Sequence, residues 1–166
     1  RHAQFFEQLA IGTPRATGFD VLLSEPGEPE GDQLLAQAMA DLPNLFLPLH
    51  FVFPGSNGAE FDVRQPIAPF TAAATGLGHV NLLFDADGVV RRANLCFGDK
   101  DAGAEWPHLM EVIYQAVEGD MSPAFDRLDD CDQNLLMPYA DRGAYQSISY
   151  AALAKGQVPP AFVQDK

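Results

Sequence analysis

The start of the chain alternates between the hydrophobic spacing of helices and that of strands. Residues 1–10 predict a helix whose apolar side carries Phe5, Phe6 and Leu9. A largely apolar stretch at 17–23, followed by turn-forming residues, predicts a buried strand. The first two elements are therefore expected to be a helix and a strand.

The next two segments repeat this order. Asp32 is the expected N-cap of a second helix. The apolar side of that helix has four residues at helical spacing, namely Leu35, Ala38, Met39 and Leu42. The apolar run at 45–53 predicts a strand, which we place at a sheet edge or a bulge because Pro48 has no backbone N–H. This alternation favours an α/β fold with parallel strands.

A β-hairpin is the strongest local pattern. Hydrophobic runs at 79–84 and 89–97 flank the sequence Asp85-Ala86-Asp87-Gly88. Asp at the first and Gly at the fourth position suit a type I turn, with positive φ at Gly88. The sequence therefore predicts a mixed sheet flanked by helices, with this hairpin as its most prominent feature. A loop is expected at 54–65 and a short alanine-rich helix at 67–75.

The register of the hairpin decides which polar residues share a face. If Asp85 pairs with Val89, the side chains of His79, Asn81 and Arg91 lie on one face. The other face then carries Val80, Leu82, Phe84, Val90 and Arg92. A shift of one residue would change these partners. We predict His79, Asn81 and Arg91 as ligand-binding residues, with a hydrogen-bonded structural cluster as the alternative.

The second half of the chain predicts one strong helix and several short elements. Pro107 and Gly119 bracket the helix, and its apolar stripe is Leu109, Val112, Ile113, Ala116 and Val117. An acidic loop is expected at 119–132 and short strands at 135–138 and 145–148. Ser149 is the expected N-cap of a short helix over 150–155, which Gly156 closes.

Composition narrows the class of protein. The chain has 166 residues with 10 Lys and Arg against 23 Asp and Glu, a net charge of −13, and 47% hydrophobic residues. One folded domain is the natural expectation. The acidic balance argues against nucleic-acid binding and against docking on an anionic membrane. The sequence has no apolar run long enough to cross a bilayer and no signal-peptide pattern.

The cysteines and the motif search predict no metal or cofactor. Cys96 and Cys131 could pair in an oxidising compartment or both be buried thiols, and we prefer the thiols. Asp85-x-Asp87-Gly88 resembles the start of a calcium loop, but Val89 and Cys96 stand where that loop needs oxygen ligands. Zinc-protease, nucleophile-elbow, phosphate-loop and dinucleotide motifs are absent from the sequence.

A hydrolase is the enzymatic alternative. Asp20 and Glu25 follow a predicted strand, and paired carboxylates can act as general acid and base. His79 or a triad of Ser24, His79 and Asp20 could contribute, although a turn or capping role is the better interpretation of the carboxylates. Among the other histidines, His2 and His108 are expected to face solvent near helix starts, and His50 to lie in the interior.

Several segments together resemble a known family. They are Gly18-Phe19-Asp20-Val21-Leu22-Leu23, Gly76-Leu77-Gly78-His79-Val80-Asn81, Asp85-Ala86-Asp87-Gly88-Val89-Val90-Arg91-Arg92, Pro107-His108-Leu109, Pro138-Tyr139-Ala140 and Ile148-Ser149-Tyr150. In this order they resemble the second class of CHASE domains, the cyclase/histidine-kinase-associated sensory extracellular modules. Family members also have a hydrophobic strand before Arg1 and another after Lys166. We therefore expect residues 1–166 to be one truncated domain.

The resemblance implies a sensor outside the cytoplasmic membrane of a bacterial receptor. Transmembrane segments would lie beyond this chain, and the output would be a histidine kinase, a nucleotide or diguanylate cyclase, or a Ser/Thr kinase. The module itself would be non-enzymatic, without a cofactor, and would respond to an unknown small-molecule or environmental signal. A homodimer is a further possibility, formed through a sheet edge or the surface around Trp106 and Tyr114.

Overall fold

The strand at the centre of the main sheet is almost entirely buried. In the computed structural model, which describes residues 1–53, 62–99, 104–131, 133–137, 139–141 and 143–166, β2 runs over Leu45–Val52. It pairs in parallel with β1 (Thr17–Gly18) and β4 (Gly76–His79), and antiparallel with β3 (Asp62–Arg64). The prediction of an α/β fold with a mixed sheet is confirmed.

Pro48 is accommodated inside this central strand, so the expected edge or bulge is wrong. The N–H of Phe19 donates to the carbonyl of Phe46 at 3.0 Å. By the alternation of a parallel ladder, the next bond would run from residue 48 to the carbonyl of Phe19, but proline has no N–H to give. That carbonyl accepts instead from Val21 at 2.8 Å. The chain leaves the sheet there, so the strand predicted at 17–23 has only two residues.

Helices cover both faces of the main sheet. On one face α1 (His2–Ile11), α2 (Pro29–Ala40), α3 (Ala68–Ala73) and α5 (Tyr150–Ala154) enclose the main core. That core contains Phe6, Leu9, Phe19, Leu35, Ala38, Met39, Leu42, Leu45, Leu47, Phe70 and Leu153. On the other face lies α4 (Leu109–Glu118). The predicted apolar sides of α1 and α2 are therefore buried, apart from Phe5, which is partly exposed.

Most of the predicted helix ends are confirmed, but α2 starts earlier than expected. Pro29 occupies its first turn, Glu28 is the N-cap, and Asp32 accepts from the N–H of Gly27 at 2.8 Å. The fixed φ of proline favours the first helical position, which explains the earlier start. Ser149 caps α5 as predicted, and Gly119 ends α4 with a φ of 94°. A short 3₁₀ helix, Pro160–Phe162, follows α5.

Smaller sheets form the rest of the molecule. Strands β5 (Leu83–Phe84), β6 (Val90–Asn94) and β9 (Asn134–Leu136) form one, and β7 (Cys96–Asp99) and β8 (Ala104–Pro107) form another. The predicted hairpin turn is confirmed, because the N–H of Asp85 donates to Val89 at 3.0 Å and φ of Gly88 is 77°. However, neither hydrophobic run of the hairpin is one continuous strand. The first run is divided between β4 and β5, and the second between β6 and β7.

Two further predictions need correction. The stretch at 145–148 has no strand in the structure, and its side chains are exposed. Residues Asp62–Arg64 form β3 inside the segment predicted as a loop, while 54–61 lie outside the described residues. The helix predicted at 67–75 is confirmed as α3.

Cys96 and Cys131 form a disulfide, so the preferred interpretation as free thiols is wrong. Both are buried and form a second small core with Phe125 and Leu128. The acidic segment 119–132 supplies few apolar side chains, so a covalent bond compensates for its small core. A closed loop of 35 residues contributes about 3–4 kcal/mol in the chain-entropy treatment.

Helix α4 lies very close to the sheet because glycines face it. An added Cβ at Gly78 would lie 2.4 Å from the Cα of Leu109, and one at Gly18 would lie 2.6 Å from Cδ1 of Ile113. Neither distance is compatible with a side chain unless the neighbour moves. The close approach therefore depends on the absence of side chains at these two positions.

We expect Gly78→Ala to lower the free energy of unfolding by about 2–3 kcal/mol, because its methyl group would meet helix backbone rather than a flexible side chain. Urea denaturation measures the change. The matched control is Gly31→Ala on α2, where the nearest side-chain atom, Cβ of Glu28, is 3.9 Å away. We expect this control to raise stability by up to about 1 kcal/mol. Equal effects of the two substitutions would contradict the close-packing account.

Candidate functional site

A cleft opens where two parallel strands end and α4 begins. Its volume is about 230 Å³, and its lining includes Gly18, Asp20, Val80, Leu82, His108 and Met110. The carboxyl ends of parallel strands are where open α/β sheets place their ligand sites. Asp20 and His108 are the polar side chains of the cleft, and its other walls are apolar or glycine.

His108 caps α4 and forms one wall of the cleft. Its Nδ1 accepts from the N–H of Met110 at 3.2 Å, which places the proton of the neutral ring on Nε2. The side chain is half-buried, so the expectation that it faces solvent is wrong. Burial lowers the pKa of His108, and the carboxylates of Glu111 and Asp20 oppose that effect. The ring is therefore neutral at pH 7.

His79 lies behind the cleft and is completely buried. Its ring centroid is 4.5 Å from that of Phe97, 5.0 Å from that of His108 and 6.2 Å from that of Phe51. Within the described part of the chain, neither ring nitrogen has a hydrogen-bond partner. Burial, with a smaller effect of His108, lowers the pKa of His79 to about 3. The ring is neutral at physiological pH because a charge there would have no acceptor.

The side chain of Asn81 takes the place of a backbone peptide group beside β2. The N–H of Val80 donates to the carbonyl of Leu49 at 3.1 Å, the last backbone bond between the chain after β4 and β2. Beyond it, Oδ1 of Asn81 accepts from the N–H of Phe51 at 2.9 Å, and Nδ2 donates to the carbonyl of Phe51 at 2.7 Å. The side-chain amide thus pairs with β2 as a peptide group would, and Asn81 is buried.

Arg91 and Arg92 bind the carboxylates of the hairpin turn. Arg91 donates to both oxygens of Asp87 at 2.9 and 2.8 Å and to Asp85 at 2.9 Å, and Arg92 donates to Asp85 at 2.7 Å. These bonds lower the pKa of both carboxyl groups and raise that of Arg91. Ion pairs this exposed contribute little stability, so they mainly order the turn. In the described part of the chain, no cluster of three metal-ligating side chains was found.

A second depression is larger but chemically simpler. A groove of about 820 Å³ lies between α2 and α3 and is lined mostly by alanine, proline and glutamine. Its charged residue, Asp32, is already bonded to the N–H of Gly27. The cleft beside His108 is therefore the stronger candidate for a functional site.

Comparison with known proteins decides the family. The model of the CHASE2 domain matches residues 1–166. The chain belongs to the CHASE2 family. No curated protein and no solved structure matched it. A CHASE2 domain is an extracellular sensory domain of signalling receptors and not a catalytic one, so the resemblance found in the sequence is confirmed. Among the helices described here, none is long and apolar enough to cross a membrane.

In this CHASE2 domain, His79, Asn81 and Arg91 do not share a face. His79 is in β4 and Asn81 follows it, and both contact Phe51 of the main sheet. Arg91 is in β6 of a different sheet, where it is bound to the turn. The predicted common face is wrong because the run at 79–84 is interrupted after β4. Ligand binding by these residues stays a prediction.

The residues of the hydrolase alternative are dispersed. Asp20 lies in the cleft, Ser24 and Glu25 line a separate depression beside β3, and His79 is buried without a bond to any of them. The triad of Ser24, His79 and Asp20 is therefore not assembled. Sequence reasoning missed the place of His108 in the cleft, because histidine is not one of the usual N-cap residues and gives no capping signal.

We expect Asn81→Ala to lower the free energy of unfolding by about 2–3 kcal/mol, because it leaves the N–H and the carbonyl of Phe51 without the amide. Urea denaturation of both proteins measures this loss. Asn134→Ala, at an exposed position of β9, is the matched control and should change stability by less than about 0.5 kcal/mol. Comparable losses in the two variants would show that the amide does not pair with β2.

Proposed function

We propose that this CHASE2 domain is the input domain of a bacterial transmembrane receptor. The output would be a histidine kinase, a nucleotide or diguanylate cyclase, or a Ser/Thr kinase. The family match over residues 1–166 carries this proposal. The Cys96–Cys131 disulfide supports a location outside the cytoplasm, since such bonds persist in oxidising compartments. The net charge of −13 favours a water-exposed surface.

The signal we propose is a small molecule that binds in the cleft beside His108. Asp20 at the rim offers a carboxylate, and the structure gives it no ion pair among the described residues. A small ligand with a positively charged or hydrogen-bond-donating group suits this chemistry. It would contact the chain after β1 and the start of α4 together, and so favour one distance between them. Binding would thereby shift the population of two conformations.

The coding sequence on either side of this chain tests the receptor role. We expect a hydrophobic segment of about 20 residues before it, at least one after it, and a kinase or cyclase domain. A gene without membrane-spanning segments around residues 1–166 would contradict the proposal. A membrane protein with a different output would change only the identity of the receptor.

The role of the cleft is tested by ligand binding. In a thermal-shift screen of small amines and other cationic compounds, we expect a ligand that stabilises the domain to bind at least 10-fold more weakly to Asp20→Asn. The lost interaction is a charge-assisted hydrogen bond. Asp41→Asn, the same change at the exposed C-cap of α2, should bind as the wild type does. Equal affinities for wild type and Asp20→Asn would place the ligand elsewhere.

Dimerisation stays a second prediction. Trp106 and Tyr114 are exposed aromatic side chains, with 45% and 39% of their surface accessible. Aromatic residues are frequent in protein interfaces. The sheet edge is the other surface expected for such a contact.

A further inference from the structure

We propose that the contact between His79 and His108 is an acid-sensitive latch between β4 and α4. Neutral rings hold the start of α4 against the sheet, and protonation of the pair releases it. The biological role of this contact rests on the proposed sensory function, because the domain would then respond to pH as well as to a ligand in the cleft.

The latch is formed by backbone as well as side chains. His79 and His108 form an isolated parallel bridge, and the N–H of His108 donates to the carbonyl of Leu95 at 2.7 Å. The two imidazole rings meet edge to face, with an interplanar angle of 88°. The same junction holds Gly78 against the backbone of Leu109. A change at either ring therefore acts where the helix is closest to the sheet.

A charge on His79 would be unsupported from every element around it. From β2 and β7 the neighbours are the rings of Phe51 and Phe97, and from the start of α4 it is His108. Strand β8 also packs against β4, but its charged residue, Glu105, is exposed to solvent. The carboxylates of the region, Asp20 and Glu111, act on His108. A proton on His79 therefore meets apolar rings and, once His108 is protonated, a like charge.

The carboxylates make the two histidines unequal. Asp20 and Glu111 oppose the lowering effect of burial on the pKa of His108. The carboxylate of Glu111 is held in place by Ser122, whose N–H donates to it at 3.2 Å and whose hydroxyl donates to it at 2.8 Å. His108 also lines the cleft, whereas His79 has no exposed surface. His108 therefore takes up a proton first as the pH falls. The resulting cation lies next to the buried ring of His79 and favours opening of the contact.

The sign of the pH effect follows from the shifted pKa of His79. Packed against α4, the ring has a pKa of about 3, compared with an ordinary value of 6.5. The packed state is therefore favoured above pH 6.5 and loses that advantage as the pH falls towards 3. Well below pH 6.5 each further pH unit favours the open state about tenfold, and the whole change from pH 6.5 to 4.5 amounts to about 50-fold. The lowered pKa of His108 acts in the same direction.

Trp106, the single tryptophan of the chain, reports on this junction. It pairs with Phe97 across the β7–β8 ladder, and its ring centroid is 6.1 Å from that of Phe51. Both phenylalanines contact His79. We expect the fluorescence of Trp106 in the 166-residue chain to change cooperatively and reversibly between pH 6.5 and 4.5.

His79→Phe replaces the imidazole with an apolar aromatic ring and so removes the titrating group. We expect this variant to lose the fluorescence transition in that window. His108→Asn retains a capping side chain and should lower the transition midpoint without removing it. His2→Phe, the same substitution at an exposed site on α1, is the matched control and should keep the wild-type transition.

Three results would overturn the latch. They are a wild-type chain with no transition above pH 4.5, a His79→Phe variant with the wild-type midpoint, and a His2→Phe variant that loses the transition equally. If His79→Phe does not fold, NMR of the wild-type histidine rings decides the question. We expect the His79 ring to stay neutral until the Trp106 signal changes, and titration of His79 near pH 6.5 with an unchanged Trp106 signal would contradict the proposal.

The experiments test the latch and the receptor role independently of each other. The pH experiments use only the 166-residue chain, so a negative result there leaves the receptor proposal intact. A gene without membrane segments would remove the receptor role but would leave the measured pH transition unchanged.

Discussion

The close packing of α4 on β1 and β4 is the contact on which the rest of the structure depends. Glycine at position 78 lets the helix backbone approach β4 more closely than a side chain would permit, and glycine at position 18 makes room for the side chain of Ile113. This approach brings His108 onto His79 and leaves the cleft at the strand ends. A helix placed a few ångströms further out would separate the histidine pair, so both candidate functions depend on the same short distance.

The most specific sequence motifs of the chain have mainly structural roles. Gly78 makes room for α4, Asn81 extends the pairing of β2, and Arg91 orders the hairpin turn through Asp85 and Asp87. A family can thus be recognised from residues that hold its fold. Residues that face the cleft also belong to the segments that carry the resemblance, Asp20 to 18–23, Val80 to 76–81 and His108 to 107–109.

Local patterns were enough to predict the helices and the hairpin turn. The apolar spacing of α1 and α2, the capping residue Ser149 of α5 and the turn at Gly88 are properties of neighbouring residues, and sequence contains them directly. The central position of β2 depends on how β1 leaves the sheet opposite Pro48, which is a tertiary event. The sequence periodicity of a strand does not show how many partners it will have.

The cleft and the disulfide were beyond sequence reasoning for a related reason. His79 and His108 are far apart along the chain, and only the approach of α4 joins them. Two cysteines without a spacing motif likewise carry no sign of pairing. The fold class and the family could be predicted, whereas contacts between distant segments could not.

The disulfide also limits how α4 can move. Cys96 begins β7 two residues after the end of β6, and Cys131 lies three residues before the start of β9. Strands β6 and β9 are neighbours in one sheet. The covalent ring closed between them contains all of β8 and α4. Both ends of this ring are thus fixed to the same three-stranded sheet. The segment that carries α4 is therefore anchored next to that sheet at both of its ends, and this ring limits how far the start of the helix can move from it.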